Sequence, residues 1–191
     1  MKISLLLPLL ALVVSCATAP AAPPTSGLEA PPWAREARLG GSEVPEALIA
    51  SWRAADNREG CAPLSFDRSA IPADATARPA TFSGGWGIAF DRTSGPGLAP
   101  SGEPCANCGR SAFGIAGTGT GPSAGTYPWP NRREWSDGSS AGWGREGGSG
   151  ENFLAYVEVA GESCLYNVWS RRSESHLEEL IESLRRVAIE E

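Results

Sequence analysis

The sequence predicts an α+β domain: an antiparallel four-stranded sheet with flanking N- and C-terminal helices, Gly-rich loops and disulfide staples. Three observations carry this reading. Four runs between Ala80 and Val168 alternate large apolar residues with small or polar ones, which is the period of a strand. A pattern with helical spacing stands on each side of these runs. Four cysteines, Cys61, Cys105, Cys108 and Cys164, fall within the same region.

The first helix is predicted from Ser42, which can cap it, with Pro45 tolerated in the first turn. Val44, Leu48, Trp52 and Ala55 form one apolar face, and Asn57-Arg58-Glu59-Gly60 ends it. From Ala80 to Asp91, Phe82, Trp86, Ile88 and Phe90 point one way, and small residues the other, with Gly84 interrupting the large face. Arg110 to Thr118 repeats the pattern, with Phe113 and Ile115 opposite Ala112, Gly114 and Ala116. A face bare of side chains on two strands means close approach by a helix, another backbone or a ligand. Phe153–Val159 and Cys164–Trp169 read as a hairpin turning at Ala160-Gly161-Glu162-Ser163. The last helix is predicted from a capping box, Ser175-His176-Leu177-Glu178, with Leu177, Leu180, Ile181, Leu184 and Val187 on its core face. Runs of strands with helices at the ends give the α+β layering.

Two long Gly-rich segments, Arg92–Gly109 and Thr118–Gly150, read as loops, and loops of that length are commonly functional. An even cysteine count in an exported chain reads as two disulfides. Three pairings are possible; the favoured one joins the sequence-adjacent Cys105 and Cys108, so that Cys61–Cys164 closes a loop of about a hundred residues.

The chain begins Met1-Lys2-Ile3-Ser4, with one positive charge, followed by an apolar run from Leu5 to Val14. The run is shorter than the ~20 residues a membrane span needs. It stops at Val13-Val14-Ser15-Cys16. These four residues resemble the lipobox of bacterial lipoprotein precursors. The resemblance covers only the signal segment. It implies cleavage before Cys16, a lipidated Cys16 carrying acyl chains such as palmitate, and a membrane-bound product in a bacterial cell envelope. Ala17, in place of the retention Asp, resembles outer-membrane sorting where the envelope has two membranes. The other reading is an ordinary secretory signal cleaved at Ala17-Thr18-Ala19.

The chain then divides into a signal peptide (1–15), a lipidated Cys with a Pro/Ala-rich tether (16–40) and a single domain (41–191). After cleavage the protein holds fifteen arginines, no lysine and 22 acidic residues, a net charge of −7. An acidic surface argues against nucleic-acid partners and against electrostatic adhesion to anionic lipid.

Candidate chemistry is sparse. Cys105-Ala-Asn-Cys108 has the spacing of a dithiol redox site, but no helix follows to lower a thiol pKa. Four cysteines with one knuckle pattern fit a disulfide pair better than zinc. His176 is the chain's single histidine, so no metal site can rest on two. Gly117-Thr-Gly119-Thr-Gly121 lacks the residues that complete a phosphate loop. Trp129, Trp135 and Trp143, interleaved with Asn131, Glu134, Asp137 and Ser139, can either stack on a sugar or peptide or plug a core poor in aliphatic residues. Glu134 and Asp137 are the one nearby carboxylate pair. The sequence therefore predicts a non-enzymatic binding or structural domain with an envelope protein or glycan as partner and no cofactor. An exported thiol oxidoreductase or hydrolase, or a glycan-binding module, is the alternative.

Overall fold

The computed structural model describes residues 27–35, 37–80, 84–91, 97–98, 104–105, 111–118, 127–150 and 152–189. In chain order the elements are α1 (Glu46–Arg53), β1 (Leu64–Phe66), β2 (Thr76–Pro79), β3 (Trp86–Asp91), β4 (Gly97–Leu98), β5 (Pro104–Cys105), β6 (Ser111–Thr118), β7 (Asn131–Glu134), β8 (Ser140–Arg145), β9 (Phe153–Glu158), β10 (Leu165–Ser170), α2 (Glu174–Glu182) and β11 (Leu184–Arg186).

The four-stranded α+β expectation is wrong. The protein is mostly β, with a seven-stranded antiparallel sheet in the order β2-β3-β6-β10-β9-β8-β7 and a separate antiparallel pair, β1 with β11. A further short pair joins β4 and β5. The four expected strands, β3, β6, β10 and β9, are the contiguous centre of the large sheet. Strand β2 extends it on one side, and a β8–β7 hairpin on the other. That hairpin lies in the segment read as a loop. Its strands escaped notice because β8 carries Gly142 and Gly144 where one face should show side chains, and β7 carries Arg132, Arg133 and Glu134. Charge on β7, and Arg78 with Pro79 on β2, blunt the two edges against pairing with other chains.

One face of the sheet carries the core. Trp86, Ile88 and Phe90 of β3, Phe113 and Ile115 of β6, Tyr166 and Val168 of β10, Ala155 and Val157 of β9, and Ala141 and Trp143 of β8 are all buried in one cluster. Phe90 stacks on Phe113 at 4.8 Å, and Phe66 of β1 tilts onto both. Leu48 of α1, and Leu177, Leu180 and Ile181 of α2, complete the cluster. The opposite face is rich in glycine and poor in bulk: Gly114 of β6 has no room for a Cβ, because the Trp169 ring and the Ile88 carbonyl oxygen occupy its place.

Both helices are shorter than their apolar patterns. Pro45, not Ser42, is the N-cap of α1, since residues 40–43 close a turn through the Glu43 amide and the Gly40 carbonyl (2.9 Å). Ser173, not Ser175, caps α2 by accepting the His176 amide at 3.0 Å. The helix stops at Ser183, whose hydroxyl donates to the Leu180 carbonyl. Leu184 and Val187 are buried as expected, but from β11 and a bridge to Leu39 rather than from a helix.

Within the segment read as a tether, Glu29, Trp33, Ala37 and Leu39 pack on the fold. Trp33 is 3% exposed and meets Trp135 edge-on at 4.8 Å. The Ser136 amide donates to the Glu29 carbonyl, Arg185 donates to the Ala37 carbonyl, and Leu39 pairs with Val187.

Candidate functional site

The Cys61–Cys164 disulfide is present, with its Cα atoms 4.9 Å apart and a sequence separation of 103. It fastens the segment after α1 to the start of β10. Its surroundings are braced by ordinary bonds. Trp52 Nε1 donates to the Cys61 carbonyl (2.9 Å), and the Ser163 amide to the Gly60 carbonyl (3.1 Å). Glu162 accepts the Ala62 amide (3.1 Å) and pairs with Arg186 (2.7 Å). The Tyr166 hydroxyl reaches the Ala62 carbonyl (2.8 Å) and the Glu162 carboxylate. Burial, and then Glu162 beside it, push that hydroxyl far above the usual tyrosine range, so it stays a donor. The expected Cys105–Cys108 bond lies outside what is described, since Cys108 is not among the described residues; so do Cys16 and the signal segment.

The three tryptophans do not line one groove. Trp135 is 2% exposed under Trp33. Trp143 is buried on the core face, with its Nε1 donating to Glu178 of α2 at 3.1 Å. Trp129 lies on the opposite face, over Gly142, where a Cβ would overlap its ring. Asp137 folds back on its own turn, accepting the amide and the hydroxyl of Ser139 at 2.9 Å each. Glu134 pairs with Arg132 at 3.2 Å. The two carboxylates thus have separate local partners and do not face each other across a shared bond network.

His176 sits in a pair that sequence reasoning missed. Its Nδ1 is 2.9 Å from the Ser170 hydroxyl, and its ring meets Phe113 edge-on at 5.2 Å. Burial, and then the Arg172 guanidinium, hold the imidazole below its ordinary pKa, with Glu179 opposing them. A Ser–His pair can generate a nucleophile where substrate reaches the oxygen. Here Ser170 is 0% exposed and also accepts the Arg172 amide, so the pair joins β10 to α2.

Two surfaces remain. The first is a shallow cleft of about 640 Å³ along α2, where Glu178, Glu179, Glu182 and Asp67 meet Arg35 and Arg133. Arg133 is already paired with Glu182. The second is an aromatic stack on the glycine face. Tyr127 stacks on Trp129 (centroids 5.1 Å, planes 27° apart), and Tyr156 of β9 stands edge-on to both, at 5.3 and 5.1 Å. The strand register explains the meeting: Gly142 pairs directly with Tyr156, so the missing side chain leaves a slot beside Tyr156 that Trp129 fills. Pro130 fills the next slot, over Gly144. Sequence reasoning named Trp129 but neither tyrosine. The signal it overlooked was the Gly-x-Gly of β8 preceded by an aromatic-rich Tyr127-Pro128-Trp129-Pro130.

Among the described residues no group of three or more His, Cys, Asp or Glu converges as a metal site, and no helix is long and apolar enough to cross a membrane. Comparison of the chain with protein-family models, with curated proteins and with solved structures finds no match.

Proposed function

We propose that this chain is a bacterial envelope lipoprotein, anchored in the membrane through Cys16, whose β domain is a non-enzymatic binding or structural module. The observation that carries the proposal is the apolar run from Leu5 to Val14 ending at Val13-Val14-Ser15-Cys16. An ordinary aqueous domain needs no such run, and one this short does not span a bilayer. The disulfide between Cys61 and Cys164 supports an oxidising compartment. The net charge of −7 after cleavage speaks against nucleic acid as the partner. Ala17 favours the outer membrane in an envelope with two. The local engagement of Glu134, Asp137, Ser170 and His176 in structural bonds supports binding over hydrolysis.

The test is Cys16→Ser with metabolic labelling by a radioactive fatty acid. The wild type takes up label and fractionates with membranes, and the variant takes up none and accumulates at precursor size. A Cys16→Ser protein that is processed and fractionates as the wild type refutes the anchor.

A further inference from the structure

Tyr127 is 49% exposed, and Leu28 is the other large apolar side chain left this open among the described residues. Tyr127 is not loose. One of its faces lies on Trp129, Trp129 in turn lies on the glycine floor of β8, and Tyr156 braces both from the side. An aromatic ring held flat, with one face toward solvent, is preordered for stacking and loses little freedom when a ligand lands on it.

The rest of the face runs along β8 and β9. At one end Glu146 accepts from Asn152 at 2.8 Å, and at the other Glu158 accepts from the Ser140 hydroxyl at 3.4 Å. The six residue steps from Ser140 to Glu146 span roughly 20 Å at strand rise. Two polar atoms on this face are buried without a partner: Trp129 Nε1, a donor, and Asn152 Oδ1, an acceptor.

We infer that the Tyr127–Trp129–Tyr156 face binds an uncharged β-1,4-linked hexopyranose chain. Such a chain is flat. Its axial hydrogens give each ring an apolar face for Tyr127, and its equatorial hydroxyls both donate and accept along the rim. Glu146 and Glu158 at the two ends disfavour an anionic polysaccharide, and Arg132, opposite Gly142 on the same face, is paired with Glu134. A quaternary ammonium does not fit, because the three rings touch one another and enclose no box for it. The inference rests on reading the domain as a binding module and stands apart from the lipid at Cys16.

The experiment titrates chitotetraose, cellotetraose and tetragalacturonate into the purified full-length protein in detergent, by calorimetry and by intrinsic fluorescence. The wild type binds a neutral tetrasaccharide and not tetragalacturonate. Tyr127→Ala, a change at an exposed ring, weakens binding at least tenfold and leaves the far-ultraviolet circular dichroism unchanged. Tyr156→Phe keeps the stack and weakens binding less than Tyr127→Ala does. No binding of either neutral probe overturns the inference without touching the anchor. Neutral binding that survives Tyr127→Ala keeps the binding module and overturns this face as its site. Preference for tetragalacturonate overturns the ligand class.

Discussion

Removing the Cys61–Cys164 bond as Cys61→Ala/Cys164→Ala asks how much one covalent link contributes to a sheet that is otherwise noncovalent. The bond closes a separation of 103 residues. In the chain-entropy model a loop of that length restricts the unfolded ensemble by about 4.7 kcal/mol at 25 °C. The native side should lose less. Ser163 to Gly60, Glu162 to Ala62 and Tyr166 to Ala62 still tie the same two segments together after the sulfurs are gone. Domains of this size are stable by roughly 5–15 kcal/mol, so the variant retains a fraction of that or unfolds near body temperature. Urea unfolding followed by tryptophan fluorescence measures it, without reductant, so that the other cysteines keep their state. The expected result is a midpoint well below the wild type and a steeper denaturant slope, because the unlinked chain exposes more surface. A loss under about 1 kcal/mol at equal slope would refute the argument that the link acts through the unfolded chain.

Two further outcomes follow from packing and charge. With its pKa held below 6.5, His176 is protonated in the unfolded chain before it is in the folded one. Its contribution is therefore complete above about pH 7 and declines as pH falls through 6.5 toward the depressed folded value, a slope that His176→Gln removes; an equal slope in the variant between pH 7 and 5.5 counts against the assignment. Gly114→Ala places a methyl 2.5 Å from the Ile88 carbonyl oxygen, part of a backbone that cannot yield. It should cost about 1–3 kcal/mol in urea unfolding. Gly142→Ala displaces only the Trp129 side chain, so it should cost less while abolishing saccharide binding; the reverse ranking would sink the distinction between the two glycines.

The centre of the sheet was legible because it obeys a simple period. Trp86, Ile88 and Phe90 alternate with Gly87 and Ala89, and Phe153, Ala155 and Val157 are the buried alternate positions of β9. The hairpin of β7 and β8 was not legible because its cover comes from outside it. Gly142 and Gly144 erase one side of the alternation, and Trp129 and Pro130 restore the bulk from an adjoining segment. At the C-terminus the helical spacing ran on through Leu184 and Val187, since a three-residue strand buries the same positions that another helical turn would. The candidate site was half legible for a related reason. Trp129 announced itself by composition, but Tyr156 reaches it through the β8–β9 register, which no local pattern reports.

Docking of Glu29, Trp33, Ala37 and Leu39 onto the fold changes the reach of the proposed anchor. With lipid at Cys16, eleven residues separate the anchor from Leu28, beside the docked Glu29. Eleven residues cover at most about 40 Å when fully drawn out, and roughly 20 Å as a flexible coil. The domain then works within a thin layer above the bilayer, at a surface density set by its own expression. A single stacked ring binds weakly, yet many copies held in one plane meet a polymer at several points along its length. If both proposals hold, each contact after the first would be made at a high local concentration, and adhesion at the membrane would exceed the affinity of one copy in solution by orders of magnitude.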